Sequence, residues 1–443
     1  MTSLDAKAFD PIAYINDPSW HSSCYGLERI RDLLERMGRP QDKLRFVHVA
    51  GTNGKGSTSA FVASILKEAG YKTGLFTSPY LICFEERIRV NGAMIPLDAL
   101  TEVTLFVREH AEAIAVETGE HPTEFELMTA VAIEYFAQSA CDIAVLEVGL
   151  GGLLDSTNVI DAPEVCVVTR IGLDHTGLLG DTVAEIAAQK AGIIKSGAAV
   201  VSYPQDDATA TAAIAQAAKA AACKVAIPDF SRLEIGAVSA GKRRFVYEGC
   251  QYETSLLGSY QPCNAAVAIE CAKALAARGW RISGEDIARG ISETKWEGRF
   301  EVVEAGEGIP TIVVDGGHNP QGAGVLAQSL RDLFPNARPY FVMSVLADKD
   351  YRAMLRCILP VASGFVCVTP PNPRALSAAD LARTVQELSS EAGIDLPRGV
   401  KVADSFEDAL AVVRAATSVG DVICAFGSLY SIADIKQAIA ATK

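Results

Sequence analysis

Short apolar runs alternate with stretches of helical periodicity along much of the chain. Four of the runs predict buried strands, at 46–50, 142–148, 165–170 and 198–203. Periodic stretches between them predict helices at 57–69 and 182–191. Short apolar strands that alternate with helices form mostly parallel sheets covered on both faces. The pattern therefore predicts an α/β fold for this part of the chain.

The same alternation begins again late in the chain. A strand at 311–315 is followed by a helix at 320–333 and by further strands at 340–344, 364–369, 400–403 and 421–426. Before this point, 230–252 has the polar–apolar alternation of an antiparallel hairpin, and 284–291 is helical. We predict two domains, 1–296 and 297–443, of which the second is a smaller α/β domain of Rossmann-like type.

Composition narrows the class of protein. Of the 443 residues 49% are apolar and 21% are charged, which supports a large core and excludes a disordered chain. No apolar run approaches the roughly 20 residues that cross a bilayer, and the first residues lack an apolar signal core. The net charge of −14 argues against general nucleic-acid binding. The 11 scattered cysteines form no Cys-x-x-Cys pair, which fits a reducing cytoplasm and gives no zinc site.

A glycine-rich segment, GTNGKGST at 51–58, follows one predicted strand and opens a helix. Glycines allow backbone N–H groups to surround phosphate oxygens, and the helix N-terminus adds partial positive charge. Lys55 is placed to reach the β- and γ-phosphates, while Ser57 and Thr58 offer hydroxyls to phosphate or magnesium. The spacing differs from G-x-x-x-x-G-K-[ST], because Gly56 separates the lysine from the hydroxyl. A tight glycine turn with a solvated lysine is the alternative.

Polar side chains follow two of the predicted strands. Glu147 ends one strand, and Asp174 and His175 follow the next. The carboxyl ends of parallel strands form the ligand-binding edge of such sheets. Since Mg²⁺ prefers hard oxygen ligands, Glu147 is a candidate magnesium ligand, and His175 beside a phosphate loop is a functional candidate. A solvated strand end is the alternative for Glu147.

Two further motifs have competing local interpretations. Lys190 and Lys195 end a predicted helix, and the local pattern favours cations that interact with its C-terminal dipole. Asp315 begins the segment DGGHNP, where its carboxylate could bind ribose hydroxyls, although Asp-Gly-Gly is also a common turn.

Taken together, the motifs resemble the folylpolyglutamate synthase and dihydrofolate synthase family within the Mur ligase superfamily. The resemblance keeps motif order over most of the chain: HVAGTNGKGS at 48–57, TSPYL at 77–81, LEVGLGG at 146–152, LDHT at 173–176, KAGI at 190–193, QPCNA at 261–265, GRF at 298–300, DGGHNP at 315–320 and DKD at 348–350.

The resemblance implies an ATP-dependent amide ligase that uses Mg²⁺. Such an enzyme adds L-glutamate to dihydropteroate, to folates or to both through an acyl phosphate. The implied architecture is an N-terminal P-loop-type ATPase domain with a mostly parallel sheet, followed by a glutamate-binding domain. The implied enzyme is a cytoplasmic monomer that needs neither nucleic acid nor membrane.

The resemblance also implies roles for particular residues. The catalytic set is Lys55, Glu147, His175 and Lys190. Lys190 matches the lysine that the family carbamylates with CO₂, which replaces its local interpretation. The magnesium ligands are Ser78, Glu147 and His175, with a hydroxyl from Ser57. The nucleotide contacts are Thr52, Asn53, Gly54, Lys55, Gly56, Ser57, Thr58, Asn264, Arg299 and Asp315. The substrate contacts are Ser22, Cys24, Tyr25, Thr123, Glu124, Phe125, Glu126, Leu154, Asp155 and Ser156, with Lys349 and Ser428 in the second domain.

Two positions depart from the family pattern. Leu153 stands where the family usually has arginine, so a guanidinium able to bind carboxylate or phosphate in bidentate fashion is missing. Tyr80 replaces a histidine. We therefore expect altered handling of the anionic substrate.

Three other classes of protein are alternatives to such a ligase. A peptidoglycan Mur ligase would carry a further domain before the ATP loop, for which 50 residues are too few. A nucleotide-binding switch would not need Glu147, His175 and Lys190 together. A ligase-like protein with a decayed folate site is favoured only by Leu153.

Overall fold

The computed structural model describes residues 9–20, 26–306 and 309–441. Contacts divide the chain into two compact units. The first unit comprises the chain up to Glu234 together with Tyr247–Tyr252 and Cys263–Thr294. The second comprises Ile235–Val246, Glu253–Pro262 and the chain from Lys295 onwards.

The first unit is built on an eight-stranded sheet. Its strands are β1 Phe46–Ala50, β2 Thr73–Phe76, β3 Ile88–Val90, β4 Ala93–Met94, β5 Ile143–Glu147, β6 Val165–Val168, β7 Ala199–Ser202 and β8 Val225–Ala226. They lie in the order β4-β3-β2-β5-β1-β6-β7-β8. The pairs from β2 to β8 are parallel, whereas β3 pairs antiparallel with both β2 and β4. The predicted mostly parallel sheet is confirmed.

Helices follow most of these strands. They are α1 Pro11–Ile15, α2 Glu28–Arg36, α3 Lys55–Glu68, α4 Leu97–Thr118, α5 Glu124–Gln138, α6 Thr176–Leu179, α7 Val183–Ala191, α8 Ala208–Ala220, α9 Gln261–Ala277 and α10 Gly284–Glu293. One apolar core lies among α2, α4, α5 and the sheet, and another lies among α7, α8 and the sheet.

The segment predicted as a hairpin forms three strands rather than two. They are β9 Leu233–Ser239, β10 Lys242–Tyr247 and β11 Cys250–Thr254, in the order β11-β10-β9. The third strand is short and mostly polar, so its sequence lacks the apolar alternation that marks a half-buried strand.

The second unit has a six-stranded sheet. Its strands are β12 Glu301–Gly306, β13 Ile309–Asp315, β14 Tyr340–Met343, β15 Gly364–Cys367, β16 Val400–Val402 and β17 Val422–Phe426. They lie in the order β12-β13-β17-β14-β15-β16, and only the β12–β13 pair is antiparallel. The helices are α11 Pro320–Leu333, α12 Tyr351–Ile358, α13 Ala378–Glu391, α14 Phe406–Ala415 and α15 Ile432–Ala441. The predicted second α/β domain is confirmed as a fold.

The position of β1 determines where the candidate site forms. β1 lies between β5 and β6, with Val49 opposite Glu147 and Ala50 opposite Val168. All five residues of β1 are buried. The carboxyl ends of these three parallel strands therefore meet at one edge, where α/β sheets bind ligands.

Candidate active site

The glycine loop turns tightly at the end of β1. Gly51 has φ +150° and Gly54 has φ +90°. A Cβ at Gly51 would lie 1.9 Å from Thr169 Oγ1, and one at Gly54 would lie 2.6 Å from Oδ1 of Asn264. Only glycine fits either position, which leaves the cradle that a nucleotide phosphate requires. The predicted nucleotide contact Asn264 therefore lies directly beside the loop.

The helix after the loop begins earlier than predicted. α3 starts at Lys55 with Gly54 as its N-cap, so the backbone of Lys55, Gly56 and Ser57 forms its first turn. The N–H groups of a first turn have no partner within the helix and favour anions. The N–H groups of Thr52 and Asn53 instead donate to the carbonyl oxygen of Arg170, each at 3.0 Å. Among the residues described, no group hydrogen-bonds the buried Thr58 hydroxyl.

Two lysines share one backbone acceptor at this loop. Nζ of Lys55 donates to the Gly51 carbonyl oxygen at 3.1 Å, and Nζ of Lys190 donates to the same oxygen at 2.8 Å. Lys190 lies in the last turn of α7 but is only 5% exposed. Its burial, together with the charge of Lys55, lowers the pKa of Lys190 to about 7. Lys190 thus lies at a helix end, as the local pattern predicted, and its side chain is buried against the glycine loop.

The candidate magnesium ligands lie at the adjoining strand ends. Glu147 is buried at the end of β5, and its Oε2 accepts a hydrogen bond from the backbone N–H of Ser78 at 3.3 Å. His175 is the N-cap of α6 with φ +51°, and its Nε2 lies 3.9 Å from Asp174 Oδ1. The structure thus brings Ser78 and Glu147 together, and the role of His175 as a third ligand stays a prediction.

This donor set fits one kind of metal site. In the described part of the chain, no three His, Cys, Asp or Glu side chains are grouped so that they could hold a metal ion. Mg²⁺ usually takes one or two carboxylates and completes its coordination with water and substrate phosphates. A single buried carboxylate beside Ser78 therefore suits a nucleotide-bound Mg²⁺ better than an all-protein metal cage.

Asp315 lies at the end of β13 in the second unit and is engaged by protein donors. It accepts hydrogen bonds from the N–H of Gly317 at 2.7 Å, the N–H of Phe300 at 2.8 Å and the hydroxyl of Tyr260 at 3.2 Å. Burial raises the pKa of Asp315, while the nearby Arg299 guanidinium opposes that shift. These contacts match the turn interpretation of this motif, and its predicted ribose contact stays a prediction.

A cavity of about 370 Å³ lies in the first unit. Its wall includes seven of the predicted substrate residues: Thr123, Glu124, Phe125, Glu126, Leu154, Asp155 and Ser156. It also includes the 149–152 turn after Glu147, and Gln189, which precedes Lys190. The cavity therefore adjoins both candidate catalytic segments. The predicted Ser22, Cys24 and Tyr25 lie outside the described residues.

The start of α5 forms one side of this cavity. The Thr123 hydroxyl accepts from the N–H of Glu126 at 3.3 Å, and Glu126 Oε2 accepts from the N–H of Thr123 at 2.7 Å. This is a capping box, which fixes where the helix begins. Arg29 donates to the same carboxylate at 2.9 Å. The pattern T-x-x-E thus makes part of the wall rigid.

Trp20 lines the cavity and was missed in the sequence. Its ring stacks on His121 at 3.5 Å between centroids, and Nε1 donates to the carbonyl oxygen of Tyr14 at 2.8 Å. A flat, apolar ring suits an aromatic substrate. Its only sequence signal was its closeness to the predicted segment at 22–25. Leu178 and Leu179 line the cavity as well, and they had no signal.

The two departures from the family pattern have different surroundings. Leu153 is 45% exposed, and its N–H donates to the carbonyl oxygen of Gln189 at 2.8 Å. Tyr80 lies under the guanidinium of Arg87, with Cζ 4.9 Å from the ring centroid. Tyr80 therefore gains a cation–π contact.

The two predicted glutamate contacts lie in the second unit. Lys349 is partly buried and precedes Asp350, the N-cap of α12. Ser428 is buried, and its Oγ accepts from the N–H of Tyr430 at 3.2 Å. Neither position is tested by these contacts, and their role in binding glutamate stays a prediction.

Known proteins share both halves of this architecture. The Mur ligase middle domain family matches residues 49–272, and the Mur ligase glutamate ligase domain family matches residues 298–429. The chain is 38% identical over 419 residues to the dihydrofolate synthase/folylpolyglutamate synthase of Bacillus subtilis, covering 93% of this chain and 94% of that protein. It is 36% identical over 444 residues to the folylpolyglutamate synthase of Lacticaseibacillus casei, covering 97% and 98%.

Solved structures agree with these matches. E. coli FolC in complex with DHPP and ADP superposes with a TM-score of 0.84 at 29% identity, covering 98% of this chain and 99% of that one. Mycobacterium tuberculosis folylpolyglutamate synthase complexed with ADP and AMPPCP gives 0.85 at 29%, covering 97% and 98%. Fold and site together define an ATP-dependent ligase of the Mur ligase superfamily. Within that superfamily, the chain belongs to the folylpolyglutamate synthase/dihydrofolate synthase family, as the sequence motifs predicted.

None of these matches supports a peptidoglycan ligase or a nucleotide switch. Within 9–20, 26–306 and 309–441, no helix combines the length and apolar character needed to span a bilayer.

Proposed function

We propose that this ligase adds L-glutamate to the carboxylate of dihydropteroate, of folates or of both. The observation that carries the proposal is the cavity in the first unit. Seven predicted pterin contacts share its wall with the turn that follows Glu147 and with the residue that precedes Lys190. An aromatic substrate held there would lie next to the groups predicted to handle ATP.

The proposed reaction has two steps. The substrate carboxylate oxygen attacks the γ-phosphorus of ATP, which gives an acyl phosphate and ADP. The glutamate amine then attacks the acyl carbon, loses a proton and displaces inorganic phosphate through a tetrahedral intermediate. Phosphoryl transfer depends on positioning and charge neutralisation. Lys55 and the first turn of α3 supply positive charge, and Glu147, Ser78, Ser57 and His175 would hold Mg²⁺, which neutralises further phosphate charge.

Lys190 is proposed to act as a carbamate. A neutral amine attacks CO₂, a C–N bond forms, and loss of the amine proton leaves an anionic carbamate. Burial beside Lys55 lowers the pKa of Lys190 to about 7, so a neutral amine is accessible near neutral pH. Carbamylation would also replace the repulsion between two cations with an attraction between Lys55 and an anion.

This proposal predicts a pH-dependent activation by CO₂. Enzyme stripped of CO₂ should regain activity when bicarbonate is added. Because the pKa of Lys190 is lowered to about 7, the ammonium form dominates below that pH and the reactive amine above it. At constant dissolved CO₂, the initial rate of reactivation should therefore rise steeply up to about pH 7 and then level off. A rate that is the same at pH 6 and pH 8 would contradict the carbamate.

We further propose that residues 1–296 bind ATP and the pterin, while residues 297–443 bind glutamate through Lys349 and Ser428. The match of the glutamate ligase domain family to 298–429 supports this division. The proposed enzyme is a cytoplasmic monomer that requires neither nucleic acid nor membrane.

The proposal is tested by phosphate release from purified protein with ATP, Mg²⁺, bicarbonate and glutamate. Dihydropteroate and tetrahydrofolate are supplied in parallel, with glutamate omitted as the control. Release with both acceptors would indicate a bifunctional synthase, and release with one would name the acceptor. No glutamate-dependent release with either, although ATP binds, would contradict the proposal and indicate a decayed folate site.

Replacing Leu153 with the arginine usual in the family should have a modest effect on substrate binding. Leu153→Arg should change the KM for the pterin substrate by about two- to fivefold, because an ion pair at an exposed position contributes under about 1 kcal/mol. Leu153→Met keeps the apolar character and serves as the matched control. Equal KM values for both variants and the wild type would make the departure irrelevant to substrate binding.

A further inference from the structure

We propose that His48 is a positioning residue for the substrate cavity, which it supports through Thr157 and Asp155. This inference rests on the proposed function of that cavity. His48 lies in the middle of β1, where every other residue is apolar, and it is completely buried. A polar ring at the centre of a parallel sheet needs a reason, since an apolar side chain would fit the surroundings without desolvation.

Hydrogen bonds link the side chains of His48, Thr157 and Asp155 in that order. The Thr157 hydroxyl donates to Oδ1 of Asp155. Nε2 of His48 lies 2.8 Å from that hydroxyl oxygen. Because the hydroxyl hydrogen already points at Asp155, Nε2 must carry the hydrogen that joins the ring to Thr157. The neutral tautomer compatible with this hydrogen bond carries its hydrogen on Nε2 and leaves Nδ1 unprotonated.

The rest of the ring's environment agrees with this tautomer. No group in the described ranges donates to His48 Nδ1. Burial, and secondarily the charge of Lys195, lowers the pKa of His48 to about 3. A protonated ring would leave a buried N–H without an acceptor, which is costly. The histidine is thus fixed as a hydrogen donor that does not titrate near neutral pH.

Asp155 connects these hydrogen bonds to the wall of the cavity. Its Oδ2 accepts from the N–H of Leu150 at 2.9 Å, and its Oδ1 accepts from the N–H of Thr157 at 3.0 Å. Both Leu150 and Asp155 line the cavity. The carboxylate therefore joins the turn after Glu147 to the 156–159 turn. The hydrogen bonds from Asp155 through Thr157 to His48 connect both turns to the central strand β1.

The first test is a comparison of Thr157 variants. Thr157→Val removes the hydroxyl while keeping shape, and it should raise the KM for the pterin substrate about tenfold, the effect of one lost hydrogen bond. The KM for ATP should stay within about twofold, since the glycine loop is untouched. Thr157→Ser should restore the wild-type KM. Thr104→Val is the matched control, because the buried Thr104 hydroxyl on α4 has no hydrogen-bond partner in the described structure.

The second test is a double-mutant comparison. If His48 acts only through Thr157, the double variant His48→Leu, Thr157→Val should have the same pterin KM as Thr157→Val alone. The inference is overturned if the double variant raises the pterin KM by the product of the two single effects. It is also overturned if the KM for ATP and the KM for the pterin change equally.

A readout without substrate separates this inference from the proposed function. Amide hydrogen exchange of the 149–157 segment should be faster in Thr157→Val than in the wild type, and normal in Thr157→Ser. Unchanged exchange would overturn the inference even if the enzyme is active. If the wild type shows no turnover with either pterin, the proposed function fails, while the exchange comparison still decides whether Thr157 and His48 hold this wall.

Discussion

Lys190→Ala should lower glutamate-dependent turnover by about 100- to 1,000-fold, the usual effect of removing one preorganised charged group from such a site. Lys190 is buried and donates to the Gly51 carbonyl oxygen of the glycine loop at 2.8 Å. The substitution removes the proposed carbamate and leaves a space the size of its side chain. Steady-state phosphate release at saturating ATP measures the loss. Acetate or formate should partly restore turnover, because either anion can occupy the vacated space.

Lys195→Ala is the matched control for this experiment. Lys195 lies in the same segment, and its Nζ donates to the carbonyl oxygen of Asn158 at 2.9 Å and also to that of Ile160. Its loss should reduce stability, because these buried acceptors lose their donor. Acetate or formate should not increase the turnover of this variant. Wild-type turnover in Lys190→Ala, or equal rescue of both variants, would contradict the carbamate.

Lys55→Ala should lower ATP-dependent turnover, again by about 100- to 1,000-fold. The Lys55 ammonium lies at the first turn of α3 beside the Gly51 carbonyl, where phosphate charge is expected to be neutralised. The same variant should also bind nucleotide more weakly, since Lys55 is expected to contact phosphate before and during transfer. Calorimetric titration with ADP and ATP, together with phosphate release, measures both effects.

Lys67→Ala tests whether the Lys55 effect is specific. Lys67 lies on the same helix, and its side chain is exposed with a loose contact to Glu68 at 3.9 Å. Its removal should leave nucleotide affinity and turnover unchanged. If Lys55→Ala and Lys67→Ala behave alike, the glycine loop does not bind the phosphates of ATP.

The strands and helices that flank the glycine loop were predictable because each has a strong local pattern. β1 is entirely apolar apart from His48, and GTNGKGST contains the glycines that only a tight loop needs. The predicted elements fall within two residues of the observed ends. By contrast, no strand or helix was predicted between 71 and 141, where β2 contains a glycine and α5 is buried on most of its surface. A helix with apolar residues all round lacks the one-sided periodicity that sequence analysis detects.

The contacts that make the site were not predictable from local sequence. Lys190 ends an ordinary helix, and only the fold places its Nζ against Gly51, 139 positions away in the chain. His48 and Thr157 meet across 109 positions for the same reason. Motif order identified the family, and with it most of the cavity residues. Trp20 belongs to none of the family motifs, so only the tertiary packing shows that it lines the cavity.

In the proposed mechanism, ATP activates a pterin carboxylate as an acyl phosphate, and the amine of glutamate then attacks that acyl phosphate. The most direct measurement uses dihydropteroate labelled with oxygen-18 in its carboxylate, incubated with the purified protein, ATP, Mg²⁺, bicarbonate and glutamate. Mass spectrometry then follows the label and the glutamylated product. We predict one labelled oxygen in the released phosphate for each glutamyl amide formed. Unlabelled phosphate, or phosphate released without a glutamylated product, would show that the carboxylate is not activated in this way.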